Sequence, residues 1–165
     1  MKFAYCPLCG EKLSPRDFGD EKDVGCCGRC GRPFFDYSAP CVLVLAENEL
    51  GELAVIRQSY GDMERFVLVA GFVKENESLE DAAARELFEE IGLRTQDARY
   101  IRSYAYQKRD NLMAGFWARV KKQEFTLSGE VKTARWMTVP QAAEALKNSY
   151  VANRLLQDWI AEKRG

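Results

Sequence analysis

The sequence predicts an α/β protein: a mixed sheet between helical layers, preceded by a small ribbon held by cysteines. Three observations carry this. From Cys41 onward, apolar strand candidates alternate with turns; two or three helical patterns fall among them; and two C-x2-C pairs lie ahead of them all. The chain has 165 residues, which suits one domain of roughly 100–150 residues with a small appendage. Hydrophobic residues make up 47% of it, enough to fill a core and to set aside disorder as the general state. Lys and Arg number 24 against 25 Asp and Glu, a net charge of −1. No global positive field therefore recruits nucleic acid or anionic lipid, and a polyanion must be held locally. The apolar runs fall far below the ~18 residues of a membrane span, and the first residues contain no secretory apolar segment. The expected location is the cytoplasm, without a membrane partner.

The ribbon comes first. Cys6-Pro-Leu-Cys9-Gly10 and Cys27-Gly-Arg-Cys30-Gly31 are separated by seventeen residues, a spacing that reads as a structural zinc site. Two residues between thiolates let each turn aim both sulfurs at one ion, and a Gly after the second Cys permits a positive φ. Four thiolates, Cys6, Cys9, Cys27 and Cys30, close the tetrahedron, so this zinc holds structure and catalysis lies elsewhere. Cys26 reads as a small side chain on the second hairpin, and Cys41 as a buried hydrophobe opening a strand. The chain contains no His, which removes Ser-His-Asp chemistry and His-ligated catalytic zinc and leaves the work to carboxylates. Residues 1–36 are the expected ribbon and residues 37–165 the expected larger domain. The ribbon carries six basic and six acidic residues between positions 1 and 40, so it is not a basic nucleic-acid reader.

In the larger domain, strand candidates cover 42–46, 53–56, 66–70, 100–107, 113–120 and 134–139, with Asn48-Glu-Leu-Gly51 as the first turn. Pro140 suits the first turn of a short helix, and Ser149 could cap a last helix whose Val151, Leu155 and Trp159 share a face.

The chemistry concentrates between Gly71 and Leu93. Ser78 with Asp81 resembles a capping box, Gly92 suits a left-handed helix end, and the helix between them should cover about 79–91. Leu79, Ala83, Leu87 and Ile91 make its buried stripe, and Glu86, Glu89 and Glu90 lie at i, i+3 and i+4 along the border. The bland reading is a solvated acidic face. Against it, the stretch from Glu75 to Glu90 holds seven acids and one base, Arg85. Two carboxylates ~5–6 Å apart at an effective dielectric of ~20 repel by roughly 3 kcal/mol. A divalent cation reverses that sign, and all-oxygen ligands suit Mg2+ or Mn2+ bridging to substrate phosphates.

Gly71, five residues, Glu77, seven residues, then Arg85-Glu86-Leu87-Phe88-Glu89-Glu90-Ile91-Gly92-Leu93 matches G-x5-E-x7-R-E-U-x-E-E-x-G-U at every specified position. The chain thus resembles the Nudix hydrolases, and the four-Cys ribbon before the box resembles their NADH pyrophosphatase branch. The resemblance implies an α/β/α sandwich that hydrolyses nucleoside diphosphates linked to another moiety, NADH/NAD- or ADP-ribose-like. Glu86, Glu89 and Glu90 would be Mg2+ or Mn2+ ligands, with the Gly71 carbonyl beside them. Arg85 would orient the glutamates by pairing with one of them or with Glu77. Glu130, six residues before Trp136, matches a further metal-reaching Glu of that branch, an exposed loop Glu being the other reading. Phe72 matches an aromatic that stacks on the base.

Where that branch carries S-Q-P-W-P-F-P-x-S, this chain reads Ser103-Tyr-Ala-Tyr-Gln-Lys-Arg-Asp-Asn-Leu112, so the motif match alone does not establish nicotinamide specificity. On that strand Tyr104 and Tyr106 could present rings to a base, the alternative being packing. The mechanism so implied is metal-assisted attack of water on phosphorus, with Glu89 the first choice of base and Glu130 the second. The NAD cap of RNA is the one nucleic-acid substrate kept in view, a homodimer is left open, and a non-catalytic nucleotide-sensing or protein-binding module is the alternative function.

Overall fold

A computed structural model describes residues 2–164. The chain divides between Ser38 and Ala39 into two compact units. In the first, β1 (Leu13–Phe18), β2 (Glu21–Cys27) and β3 (Pro33–Phe34) form an antiparallel sheet in that order. Its apolar centre is small, Cys6, Leu13 and Cys27 with Phe3 and Phe34 against them. A nucleus of that size cannot by itself offset the ordering entropy of nearly forty residues, which is why such units rely on a staple.

The second unit contains β4 (Ala39–Glu47), β5 (Leu53–Gln58), β6 (Val69–Phe72), α1 (Leu79–Ile91), β7 (Ala98–Tyr106), β8 (Asn111–Arg119), β9 (Val131–Met137), α2 (Val139–Leu146) and α3 (Tyr150–Arg164). The strand order is β7-β8-β4-β5-β9, with β6 also paired to β4. β4 runs parallel to β8, from Ala39 opposite Asn111 to Glu47 opposite Arg119, and the other pairings are antiparallel, so the sheet is mixed.

The alternation of side chains along β4 and β5 sorts the core into two layers. Val42, Val44, Ala46, Ala54 and Ile56 face Ala83, Leu87 and Ile91 of α1. Cys41, Leu43, Leu45, Leu53 and Val55 face Leu146 of α2 and Leu155 and Trp159 of α3. Both faces of β4 are thus covered, and its sequence reads as an unbroken apolar run. At its end the buried Glu47 accepts from Trp117 Nε1 at 2.7 Å and pairs with Lys163, which ties α3 to the sheet.

Helix α1 starts and stops where its sequence says. The Ser78 hydroxyl oxygen accepts the Asp81 N–H at 3.1 Å, and Gly92 closes the helix at φ 74°. Leu79 departs from expectation: it is 37% exposed and outside the buried stripe, whose fourth and fifth members are Ala82 and Glu90. The candidate strand at 66–70 shifts to Val69–Phe72. Phe66 stays off the ladder because its carbonyl accepts the Ser149 hydroxyl at 2.5 Å and its ring lies 4.2 Å from the Arg57 guanidinium. Ser149 therefore directs its hydroxyl to Phe66, while its carbonyl takes the Asn153 N–H of α3 at 2.8 Å. No described helix is long and apolar enough to cross a membrane.

Leu87 is fully buried between α1 and the sheet. Leu87→Ala should destabilise the unit by about 2–5 kcal/mol, read as a lowered midpoint in urea with an unchanged slope; an unshifted midpoint would contradict the packing of α1.

Candidate active site

The acidic rim of α1 is organised by one cation. Arg85 Nε and Nη2 donate to the two oxygens of Glu77 at 2.6 and 2.9 Å. Its Nη1 donates to Glu86 Oε1 at 2.5 Å and to Glu89 Oε2 at 2.9 Å, and Nη2 also reaches the Phe72 carbonyl at 2.9 Å. Arg85 thus pairs with all three acids rather than one of them. Its fork holds the Glu77 carboxyl down to about 2. Lys74 supplies a second cation, 3.2 Å from Glu89 Oε1. Arg85 and then Lys74 lower the Glu89 carboxyl below its ordinary range.

Glu90 stands apart. It is 5% exposed, and its Oε2 has no hydrogen-bond partner. Burial, followed by the charge of Glu86 and less strongly that of Glu130, pushes its carboxyl up to about 8, against a bond from the Ala70 backbone. Glu130 is exposed, on the turn before β9, where its carbonyl accepts the Ser59 N–H at 2.8 Å. Its charge is nonetheless felt at Glu90, so the turn brings a residue 40 positions away to the rim. Gly71 lies on β6 opposite Val42, and a Cβ there would collide with the Glu86 carboxyl. Only a glycine lets the Glu86 carboxyl come so close to this strand.

An orphaned buried carboxylate oxygen, an all-oxygen donor set and a strand cleared of Cβ fit a hard divalent cation. The side chains as they stand do not form a closed oxygen cage. Among the described residues, the four cysteines are the set whose ligand atoms lie within 4.8 Å of one another. Cys6, Cys9, Cys27 and Cys30 come together from two knuckles in which Gly10 and Gly31 adopt φ 75° and 68°, and their N–H groups return to the carbonyls of Cys6 and Cys27. Cys30 N–H also donates to Cys27 Sγ at 3.2 Å. Burial raises the Cys6 thiol, but the Leu8 and Cys9 backbone groups and the neighbouring thiols outweigh it, bringing it to about 7. Cys30 is pushed up to about 12, first by Cys9 and then by burial. One thiolate is thus stabilised at the expense of another, and a soft cation relieves that conflict. Cys26 is buried on β2, and all six cysteines are free thiols.

Across β6 from the rim, a shallow cleft of about 140 Å3 opens on the α3 side of the sheet, lined by Leu43, Leu68, Met113, Tyr106 and Tyr150. Ala70, the neighbour of Gly71, lines it as well. Of the aromatic candidates, Phe72 exposes its ring and Tyr106 faces the cleft, but Tyr104 does not serve a ligand. It is 2% exposed and its hydroxyl donates to Asp158 at 2.7 Å, so it is a packing residue against α3. Tyr60 went unpredicted. Burial raises its hydroxyl, as do the charges of Glu130 and Glu90, while Arg109 opposes them. Its hydroxyl accepts from Gln58, a residue of the cleft lining, at 2.8 Å. A turn of Ser, Tyr, Gly and Asp offers no periodicity that would have flagged it, and Lys74 fell just outside the acidic window.

A sandwich of this topology with an Arg-organised glutamate helix defines a known class, and the chain belongs to it: the NUDIX domain family model matches residues 38–159. NAD-capped RNA hydrolase NudC of Deinococcus radiodurans is 29% identical over 164 residues, 97% of this chain and 58% of that protein. The protein of the same name from Edwardsiella ictaluri is 28% identical over 158 residues, 95% of this chain and 60% of its own length. The chain thus spans about three fifths of the curated relatives it matches. A NUDIX hydrolase crystal structure from Nitrosomonas europaea shares the fold with a TM-score of 0.72 at 22% identity, covering 84% of this chain and 80% of that one.

Because its folded value lies far above the ordinary 4.5, Glu90 contributes stability that is fully present below that value and lost as pH rises toward about 8. In buffer without added divalent ions, the thermal midpoint of the wild type should fall across this window relative to Glu90→Gln. Parallel profiles for the two proteins would show that the carboxyl is not held neutral by burial.

Proposed function

We propose that the chain hydrolyses the diphosphate bond of a nucleoside diphosphate linked to another moiety, with NADH/NAD- and ADP-ribose-like compounds as the substrate class. The observation that carries this is Glu90, a buried carboxylate with an unpartnered oxygen beside Glu86 and within the field of Glu130. A binder of phosphate alone has no use for such a concentration of negative charge. A metal-requiring hydrolase does.

Glu86, Glu90 and Glu130, with the Gly71 carbonyl and Glu89 at the edge, would hold Mg2+ or Mn2+. When bound, such ions neutralise phosphate oxygens and lower the pKa of a coordinated water. Arg85 keeps Glu86 and Glu89 oriented through the bonds described above, and Glu77 anchors Arg85 in turn. Glu89 is kept ionised by Arg85 and Lys74 and is 49% exposed, so it can accept the proton of the attacking water as its oxygen bonds to phosphorus. Glu130 is the second candidate. The bridging anhydride oxygen leaves on the opposite side, giving a nucleoside monophosphate and a phosphorylated second product. The exposed Phe72 and the half-buried Tyr106 are the rings available to a base.

Residues 1–36 are proposed to fold as a zinc ribbon ahead of a hydrolase domain at 37–165, with Zn2+ on Cys6, Cys9, Cys27 and Cys30. Free thiols suit the reducing cytoplasm. The two NAD-capped RNA hydrolase relatives bring NAD-capped RNA into the substrate class to be tested.

In a phosphate-ester release assay with saturating Mg2+ and the candidate substrates above, Glu89→Gln and Glu90→Gln should each lower kcat by about 10²–10⁴-fold. Retention of near wild-type kcat would remove these carboxylates from the reaction. Cys27→Ser should release bound zinc and lower the ribbon's unfolding temperature; a variant of unchanged zinc content and melting would end the structural assignment.

A further inference from the structure

The cleft beside the acidic rim has the opposite charge. Its walls contain two charged side chains, Arg65 and Arg109, and no Asp or Glu. Arg109 makes no hydrogen bond or ion pair with another described residue, and the ion pair of Arg65 with Asp62 is exposed and stretched to 4.0 Å. Arg109 is nevertheless well placed. It ends a one-turn 3-10 helix, Gln107–Arg109, that Asp110 closes in a left-handed conformation at φ 52°. The Asp110 carbonyl in turn accepts the Ala39 N–H at 2.9 Å, which fixes the turn to the start of β4.

The rim and the cleft meet at β6, where Gly71 faces Glu86 and its neighbour Ala70 lines the cleft. Ala70 bonds Glu90 through its backbone and lines the cleft, and Tyr60 is close enough to feel Glu90, Glu130 and Arg109 together. A ligand with its diphosphate at the carboxylates and its second moiety laid over the β6 edge would bring that moiety toward the arginines. The apolar floor weakens solvent screening of whatever charge lies on it. An unpaired Arg109 and an Arg65 held only by a long exposed ion pair disfavour a cationic ring and favour a phosphate, which guanidiniums can bind in fork geometry.

We propose, on the hydrolase reading above, that this cleft selects substrates whose second moiety bears phosphate of its own, held by Arg109 with Arg65 beside it. The shared chemistry is an anionic group beyond the two phosphates of the scissile bond. It can come from a phosphorylated ribose or from a longer polyphosphate chain.

Two series separate these sources. NADH and NADPH differ by a phosphate on ribose; diadenosine diphosphate, triphosphate and tetraphosphate differ by phosphates in the chain. With Mg2+ and the full chain, kcat/KM should rise about tenfold with an added phosphate in one of the two series, and the gain should shrink at high salt. The responding series identifies the source. Arg109→Gln should lower kcat/KM for the more phosphorylated member about tenfold more than for its partner, and Arg65→Gln should act in the same direction by less. Differences below twofold in both series, or equal losses for both members in Arg109→Gln, overturn the proposal. If none of these compounds is hydrolysed, the hydrolase reading fails by itself, and equilibrium dialysis of the same pairs decides the charge selection. Tighter binding of the more phosphorylated member that Arg109→Gln abolishes upholds it. Equal affinities refute it.

Discussion

The acidic edge of α1 exists because one guanidinium is spent on it in full. Arg85 uses Nε and both Nη groups on two oxygens of Glu77, one each of Glu86 and Glu89, and the Phe72 carbonyl. A lysine has a single point charge and could not satisfy this planar set. Arg85, Glu77 and Glu86 are 17%, 13% and 12% exposed, respectively. At such depth an acid without its cation is expensive, and breaking a buried pair costs about 3–5 kcal/mol. Glu90 lies beyond that reach. The contrast between three satisfied acids and one orphan is what turns an acidic helix into a place with chemistry.

The sheet delivers that contrast. β4 shares one edge between β6, which pairs at Cys41–Val44, and β5, which joins it at Glu47 and Leu53. The two partners touch again at the Ile56–Val67 bridge and then part. β6 hands the chain to the loop before α1, and β5 hands it to the loop containing Tyr60. The rim and the cleft sit on either side of this fork, with Gly71 and Ala70 side by side on β6 serving one each.

Features set by local spacing could be read from the sequence. The helix from Ser78 to Gly92 follows from its caps and four-residue period, and the cysteine knuckles from two short loops ending in glycine. Features set by distant partners could not. Tyr104 and Tyr106 have the same spacing and type, yet Asp158 of α3 takes one into the core while the other reaches the cleft. Phe66 looked like strand until Ser149 claimed its carbonyl. Leu79 fits the helical period but precedes the part of α1 that the sheet covers. The Glu90 environment combines α1, β6 and the turn before β9, and no window of sequence contains all three.

The two sides of the fork are built by separate stretches of chain. The acidic rim depends on β6 and α1, whereas the basic wall comes from the loop after β5 and the short turn between β7 and β8. On the proposed selection, replacements in that turn would alter what is admitted and leave the glutamate helix untouched. The catalytic edge and the selecting wall could then change independently of one another.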